Sequence, residues 1–148
     1  MENKMHIVCP HCTAVNRLPE EKLDSKPKCG KCRRSLFGGK PVELTESTFQ
    51  KHMERNDVAV VVDFWAAWCG PCKMMAPAFE KAAAQMEPGI RFAKVDTEKE
   101  RSLAGRFGIQ SIPTTIIFKG GRELARQSGA MDLNTLTNWI RGQLHGSE

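Results

Sequence analysis

Val58-Ala59-Val60-Val61-Val62-Asp63-Phe64-Trp65 runs directly into Ala66-Ala67-Trp68-Cys69-Gly70-Pro71-Cys72. The first eight residues are nearly all apolar and rich in β-branched side chains. That is the pattern of a central strand buried on both faces. A helix is expected from about Cys69 to Met86, kinked at Pro77. The two cysteines therefore lie where a buried strand hands over to a helix, a usual site position in open α/β sheets. Residues three apart at a helix start share one face, so the two sulfurs can approach and bond. Cys69 meets the positive end of the helix dipole and free backbone N–H groups, and both favour thiolate over thiol. Pro71 suits the first turn, where its missing N–H costs no helical bond. Cys72 is expected to lie deeper and to be less exposed. This setting points to thiol–disulfide exchange. The Cys69 thiolate attacks a disulfide of a partner protein, and Cys72 then attacks the mixed disulfide and releases the partner reduced. The alternatives are a third metal half-site or an inert buried pair, but no further ligand lies nearby in sequence.

The elements around this stretch alternate. Pro41 to Leu44 reads as a short edge strand, and Thr45 as the cap of a helix running to about Asn56. Ile90 to Val95 is an interior strand and Glu98 to Phe107 a short helix. Thr114 to Phe118 and Glu123 to Gln127 are paired strands joined at Gly120-Gly121. Leu133 to Leu144 closes with an amphipathic helix. The order β-α-β-α-β-α-β-β-α implies an α/β fold, a central mixed sheet flanked by helices.

All six cysteines form Cys-x-x-Cys pairs. Cys9/Cys12 and Cys29/Cys32 are separated by 16 residues, a spacing suited to a four-cysteine zinc site. Four thiolates close a tetrahedron with no open position, so one structural Zn2+ per chain is expected. A segment of about 40 residues buries too little apolar surface to fold alone, and a metal commonly makes up the deficit. A redox role for Cys9-Pro10-His11-Cys12 is the alternative. No buried strand is expected before it, and Asn16, Pro19, Glu20 and Glu21 follow where a helix should begin. His11 reads as an exposed knuckle residue. Gly38-Gly39-Lys40-Pro41 reads as a linker. The chain divides accordingly into a zinc-ribbon module with linker, residues 1–40, and a second domain, residues 41–148.

The formal net charge of +5 sits entirely in residues 1–40, while residues 41–148 are neutral. Zinc on four thiolates would trim that excess. Arg17, Lys28, Lys31, Arg33, Arg34 and Lys40 have no aromatic residue among them until Phe37, so a solvated surface is expected rather than a nucleic-acid site. A length of 148 residues, with 41% hydrophobic and 26% charged, fits one globular domain plus an appendage. No apolar run approaches the ~18 residues of a membrane span. The start Met1-Glu2-Asn3-Lys4-Met5-His6-Ile7-Val8 lacks the apolar stretch of a signal peptide, so a cytoplasmic location is expected. No Gly-rich phosphate loop follows a strand, so no bound nucleotide is expected.

Residues 41–148 resemble the thioredoxin family along their whole length. The resemblance rests on Val62-Asp63-Phe64-Trp65-Ala66-Ala67-Trp68-Cys69-Gly70-Pro71-Cys72-Lys73 and on Ile112-Pro113-Thr114. The added four-cysteine segment is similar to the zinc-containing bacterial thioredoxin 2 group. The resemblance implies a thioredoxin fold with a small N-terminal zinc ribbon and a protein-disulfide reductase. It also gives roles to residues ambiguous by themselves. Asp63 interrupts an apolar strand, and a buried carboxylate must be paired or have a raised pKa. The resemblance makes it the proton acceptor for Cys72, tuned by Lys94. The alternative puts both at strand ends in solvent. Trp68, Gly70, Pro71, Ile112, Pro113 and Gly129 are implied on the substrate face, with Pro113 cis and the Ile112 backbone open to pair with an extended segment. Trp65 packs behind, and Gly121 is implied near the same groove. Ser111 departs from the glycine common at its position. The implied partners are thioredoxin reductase, driven by NADPH, and disulfide-forming clients such as ribonucleotide reductase, acting with a monomer. A zinc-binding, redox-controlled chaperone or adaptor is the rival class.

Overall fold

Residues 4–146 are described in the computed structural model; Met1–Asn3, the opening of the N-terminal stretch read above, and residues 147–148 lie outside them. Strand β1 (Lys4–Val8) pairs antiparallel with β2 (Val15–Pro19), and a 3-10 turn (Glu20–Ser25) follows. β3 (Val42–Glu43), α1 (Glu46–Arg55), β4 (Ala59–Trp65), α2 (Gly70–Met86), β5 (Ile90–Asp96), α3 (Arg101–Arg106), β6 (Thr114–Lys119), β7 (Arg122–Ser128) and α4 (Leu133–Gly146) complete the chain. The larger sheet has the order β3-β5-β4-β6-β7. β3 and β4 run parallel to β5, while β6 is antiparallel to β4 and β7.

β4 lies at the centre with six of its seven residues buried. Its even-numbered side chains Val60, Val62 and Phe64 pack with Phe49, Met53 and Leu103 of α1 and α3. Val61 packs on the opposite face with Phe79 of α2 and Leu136 and Ile140 of α4. The alternation of a strand thus feeds two cores from one segment.

Two expectations are corrected. A strand does precede Cys9: Ile7 and Val8 at the end of β1 are fully buried. The hairpin with β2 and the docking described below bury them, and neither contact is visible in local sequence. The helix expected from Glu98 begins only at Arg101. Asp96 Oδ1 accepts the amides of Glu98 (2.9 Å) and Lys99 (3.3 Å), and this side-chain turn competes with helix there.

The N-terminal module docks at the end of the sheet remote from Cys69. Ile7, Leu18 and Leu36 pack with Val58, just before β4. Val8 N–H donates to Asn56 Oδ1 at 2.8 Å, and His6 N–H to Asp57 Oδ2 at 2.7 Å. Arg91, at the start of β5 and only 1% exposed, donates to the carbonyls of Leu36 (2.7 Å) and Val8 (3.1 Å). Its guanidinium lies 4.2 Å from the centroid of the Phe37 ring and 3.7 Å from the buried Glu87 carboxylate. Glu87 in turn accepts the amides of Gly39 and Phe92. Buried charges are tolerated when paired and hydrogen-bonded, as these are. Seven residues of β4 put roughly 20 Å between this junction and the cysteine pair.

Replacing Arg91 with Ala leaves two carbonyls and a carboxylate buried without their partner. Arg91→Ala should lower the unfolding free energy by about 3–5 kcal/mol in denaturant melts. A loss under about 1 kcal/mol would show that the junction carries little energy.

Candidate active site and metal centre

Cys69 is the N-cap of α2, in extended backbone conformation, and its Sγ accepts the Cys72 amide at 3.1 Å. An orphan N–H of the first helical turn is therefore aimed at the sulfur, as Ser or Asp side chains are held at other helix starts. In the reduced state the same donor, with the helix dipole, favours thiolate. Here Cys69 and Cys72 are joined by a disulfide, with Cα atoms 5.2 Å apart. The expected contrast in exposure is absent: Cys69 is 3% exposed and Cys72 4%. Both pack with Ala66, Trp65 and Ile112, which cover the bonded pair.

The surface around the pair is open, with the polar Thr97, Glu98 and Gln110 interspersed among its apolar residues. Trp68 is 69% exposed, and Gly70 and Pro71 are exposed at the helix tip. The Ile112 carbonyl oxygen lies 3.7 Å from Cys69 Sγ. The Ile112–Pro113 bond is cis, and Pro113 O accepts the Gly129 amide at 2.8 Å. Gly129 has φ +98°, which strains any side chain, yet a Cβ would meet nothing within 4 Å. Its backbone conformation, not internal crowding, requires glycine. A depression of about 230 Å³ beside Trp68 and Ile112 is lined by Ala104 and Ile109. Gly121 does not belong to this face. It lies in the β6–β7 turn, at the other end of β6 from Thr114, and a Cβ there would lie 3.9 Å from Met53 O. Ser111 is exposed in the loop before Pro113.

Asp63 is 1% exposed, on the face of β4 that α2 covers. Its Oδ1 has no protein hydrogen-bond partner among the described residues. Burial pushes its pKa up to about 7, against a lowering pull from Lys94 and a smaller push from Glu43. Lys94 is its register partner on β5, and the ammonium lies 4.4 Å from the Trp65 ring centroid. Asp63 is thus not a solvent-facing strand end. Thr115 faces it from β6, with a buried hydroxyl that also lacks a protein partner. Glu43 and Thr115 escaped the sequence reading because register across four strands places them there. Met74 escaped it too, though helical spacing puts it off the buried stripe of Cys72, Met75 and Phe79.

In the N-terminal module the four remaining sulfurs converge. Cys9 and Cys32 Sγ lie 3.6 Å apart, as do Cys12 and Cys29, and all four are within 4.8 Å of one another. A tetrahedron with Zn–S bonds of ~2.3 Å has edges of about 3.8 Å, so the donor set fits a zinc ion. Amides of His11 and Lys31 point at Cys9 and Cys29, and Asn16 Nδ2 also reaches Cys29. Such N–H···S bonds are the outer support that metal thiolates use. His11 is exposed, and so are Arg17, Lys28, Lys31, Arg33, Arg34 and Lys40.

Residues 40–142 match the thioredoxin family, and residues 8–34 match the family described as the N-terminal zinc ribbon of thioredoxin 2. The chain belongs to the thioredoxin family. Thioredoxin C-3 of Corynebacterium nephridii is 46% identical over 140 residues, covering 95% of this chain and 96% of its own. Thioredoxin 1 of a Nostoc strain is 43% identical over 102 residues, 69% of this chain and 95% of its own. The crystal structure of a thioredoxin from Malassezia sympodialis superposes with a TM-score of 0.61 at 36% identity, covering 68% of this chain and 88% of that one. The molecule is a thiol–disulfide oxidoreductase of the thioredoxin type, with Cys69 and Cys72 as its redox pair. No helix among the described residues is long and apolar enough to cross a membrane.

The raised pKa of Asp63 makes a stability prediction. Unfolded, the carboxyl ionises near 3.8; folded, it holds its proton to about 7. Stability is complete below the lower value and falls as pH rises through the upper one. Asp63→Asn removes that loss. It should be more stable than the wild type by about 2–4 kcal/mol at pH 8, with the gap closing toward pH 4. Denaturant melts at both pH values test this, and an unchanged or lower stability at pH 8 would contradict it.

Proposed function

We propose that this chain reduces disulfides in client proteins and is recharged by thioredoxin reductase. NADPH is then held by that reductase and not by this chain. The observation that carries the reading is a Cys69–Cys72 disulfide at the start of a helix, flanked by exposed Trp68, Gly70 and Pro71. In the reduced protein the Cys69 thiolate attacks one sulfur of the client disulfide, and the other client sulfur leaves as thiolate. Asp63, poised near neutrality by burial, takes the Cys72 proton. Lys94 limits how far that pKa rises. The Cys72 thiolate attacks Cys69 Sγ, the Cys69–client bond breaks, and two electrons have passed to the client. An extended client segment pairs with the Ile112 backbone beside Pro113 and Gly129, a mode that reads main chain and tolerates many sequences. Clients of this kind include enzymes that form a disulfide each turnover, such as ribonucleotide reductase.

Residues 1–40 form a structural module in this reading, with Cys9, Cys12, Cys29 and Cys32 holding one Zn2+ and residues 41–148 carrying the chemistry. The docking at the start of β4 and β5 supports a supporting rather than covering role. Four cysteines kept out of disulfides so that they can bind zinc suit a reducing compartment, the cytoplasm, and a monomer suffices for every step.

Cys69→Ser should abolish insulin reduction, while Cys72→Ser should retain clients as mixed disulfides. Undiminished turnover by Cys69→Ser would end this reading. Metal analysis of protein purified without added zinc should give about one ion per chain. No zinc with all four thiols free would overturn the metal assignment.

A further inference from the structure

We propose that Met74 is an oxidation-sensitive client contact, and that its sulfoxide weakens reduction of protein disulfides while sparing small ones. The proposal rests on the reductase reading above and adds a regulated residue to that site.

Met74 is 79% exposed. Among the other described methionines, Met53, Met75 and Met131 are buried, and Met5 and Met86 are half-buried. Its place on α2 explains the contrast. Met75 continues the buried stripe of Cys72 and Phe79, so Met74 turns outward. It stands three residues after Pro71 and four after Gly70, and helical neighbours at those spacings lie side by side. Trp68 and Met74 are the two most exposed large apolar side chains described, before and after the cysteine pair. Scattered exposed hydrophobics need no explanation, but two that bracket a reactive disulfide make a collar that a docking protein covers. Methionine suits such a collar, since its flexible thioether adapts to unlike partners.

The same thioether is exposed to oxidants when the cysteines are not. In the disulfide form Cys69 and Cys72 are covered and carry no thiolate, so Met74 presents the open sulfur of the site. With a hydroperoxide, a lone pair of Met74 Sδ attacks the distal peroxide oxygen. The O–O bond breaks, the sulfur gains one oxygen and loses two electrons, and the peroxide leaves as alcohol or water. The polar sulfoxide must then be desolvated when a client covers it. A small disulfide reaches the sulfurs without covering the collar. Return to the thioether takes a methionine sulfoxide reductase and two electrons from a dithiol.

The test treats the full-length disulfide form with hydrogen peroxide, then reduces its Cys69–Cys72 bond. Peptide mass spectrometry should find oxygen on Met74 before Met5, Met53, Met75, Met86 or Met131. The treated protein should lose about fivefold in kcat/KM for insulin, and keep its rate with the small disulfide 5,5′-dithiobis(2-nitrobenzoic acid). Met74→Leu, treated in parallel, should show a treated-to-untreated ratio near one for both substrates. Met74→Gln should reproduce the insulin-selective loss without peroxide. Equal oxidation of Met74 and any other of those five methionines, or Met74 sulfoxide with insulin reduction unchanged, would overturn the proposal. An equal loss with both substrates would also overturn it. Failure of the untreated protein to reduce insulin would instead overturn the reductase reading.

Discussion

The hydrogen bond from the Cys72 amide to Cys69 Sγ stands where a buried strand ends and a helix begins. Its donor is one that every α-helix leaves unpaired in its first turn. Placing a sulfur at that cap turns a loose end of the helix into a stabiliser of negative charge. The arrangement needs α2 to start at Gly70, and it needs β4 to end at Trp65 with Phe64 buried and Trp65 half-buried. The packing of β4 between two helical layers therefore sets the position of the reactive sulfur.

The same strand organises the rest of the molecule. Its end carries the redox pair, and its start receives the N-terminal module. The two functions are kept apart by the length of one strand, so the ribbon neither shields the sulfurs nor competes for the face around Trp68. The junction is polar at its centre: Arg91 reaches two ribbon carbonyls and Glu87 at once. A buried guanidinium whose Nη2 meets two ribbon carbonyls and whose Nη1 faces a carboxylate fixes orientation more strictly than apolar packing does, because hydrogen bonds are directional. The small ribbon core, with Val58 completing it, supplies the area that a module of this size lacks alone.

Asp63 shows the opposite use of burial. Among the described residues, Arg91 is buried with its ion pair to Glu87 and two carbonyl acceptors, leaving only Nε without a protein partner, whereas Asp63 is buried with Oδ1 unpartnered and its register neighbour Thr115 unpartnered too. Burial of Asp63 costs stability at neutral pH and holds the carboxyl pKa near neutrality, the property on which the proton transfer proposed above relies. Sites of chemistry are where local rules of stability are expected to break.

Much of this was legible in the chain itself. The apolar run at 58–65, the caps and the three Cys-x-x-Cys pairs act over a few residues, and local pattern determines strand, helix start and metal knuckle by steric and spacing constraints alone. The burial of Ile7 and Val8, the delayed start of α3 and the covering of both active-site sulfurs depended on contacts between segments far apart or on side-chain turns that compete with helix. Only the tertiary structure decided that Thr115 flanks Asp63 on the side opposite Lys94, since strand register joins residues by pairing and not by spacing. It alone decided that the ribbon docks at the end of the sheet remote from Cys69, because a docking surface forms only once Val58, just before β4, and Arg91 of β5 have been brought together.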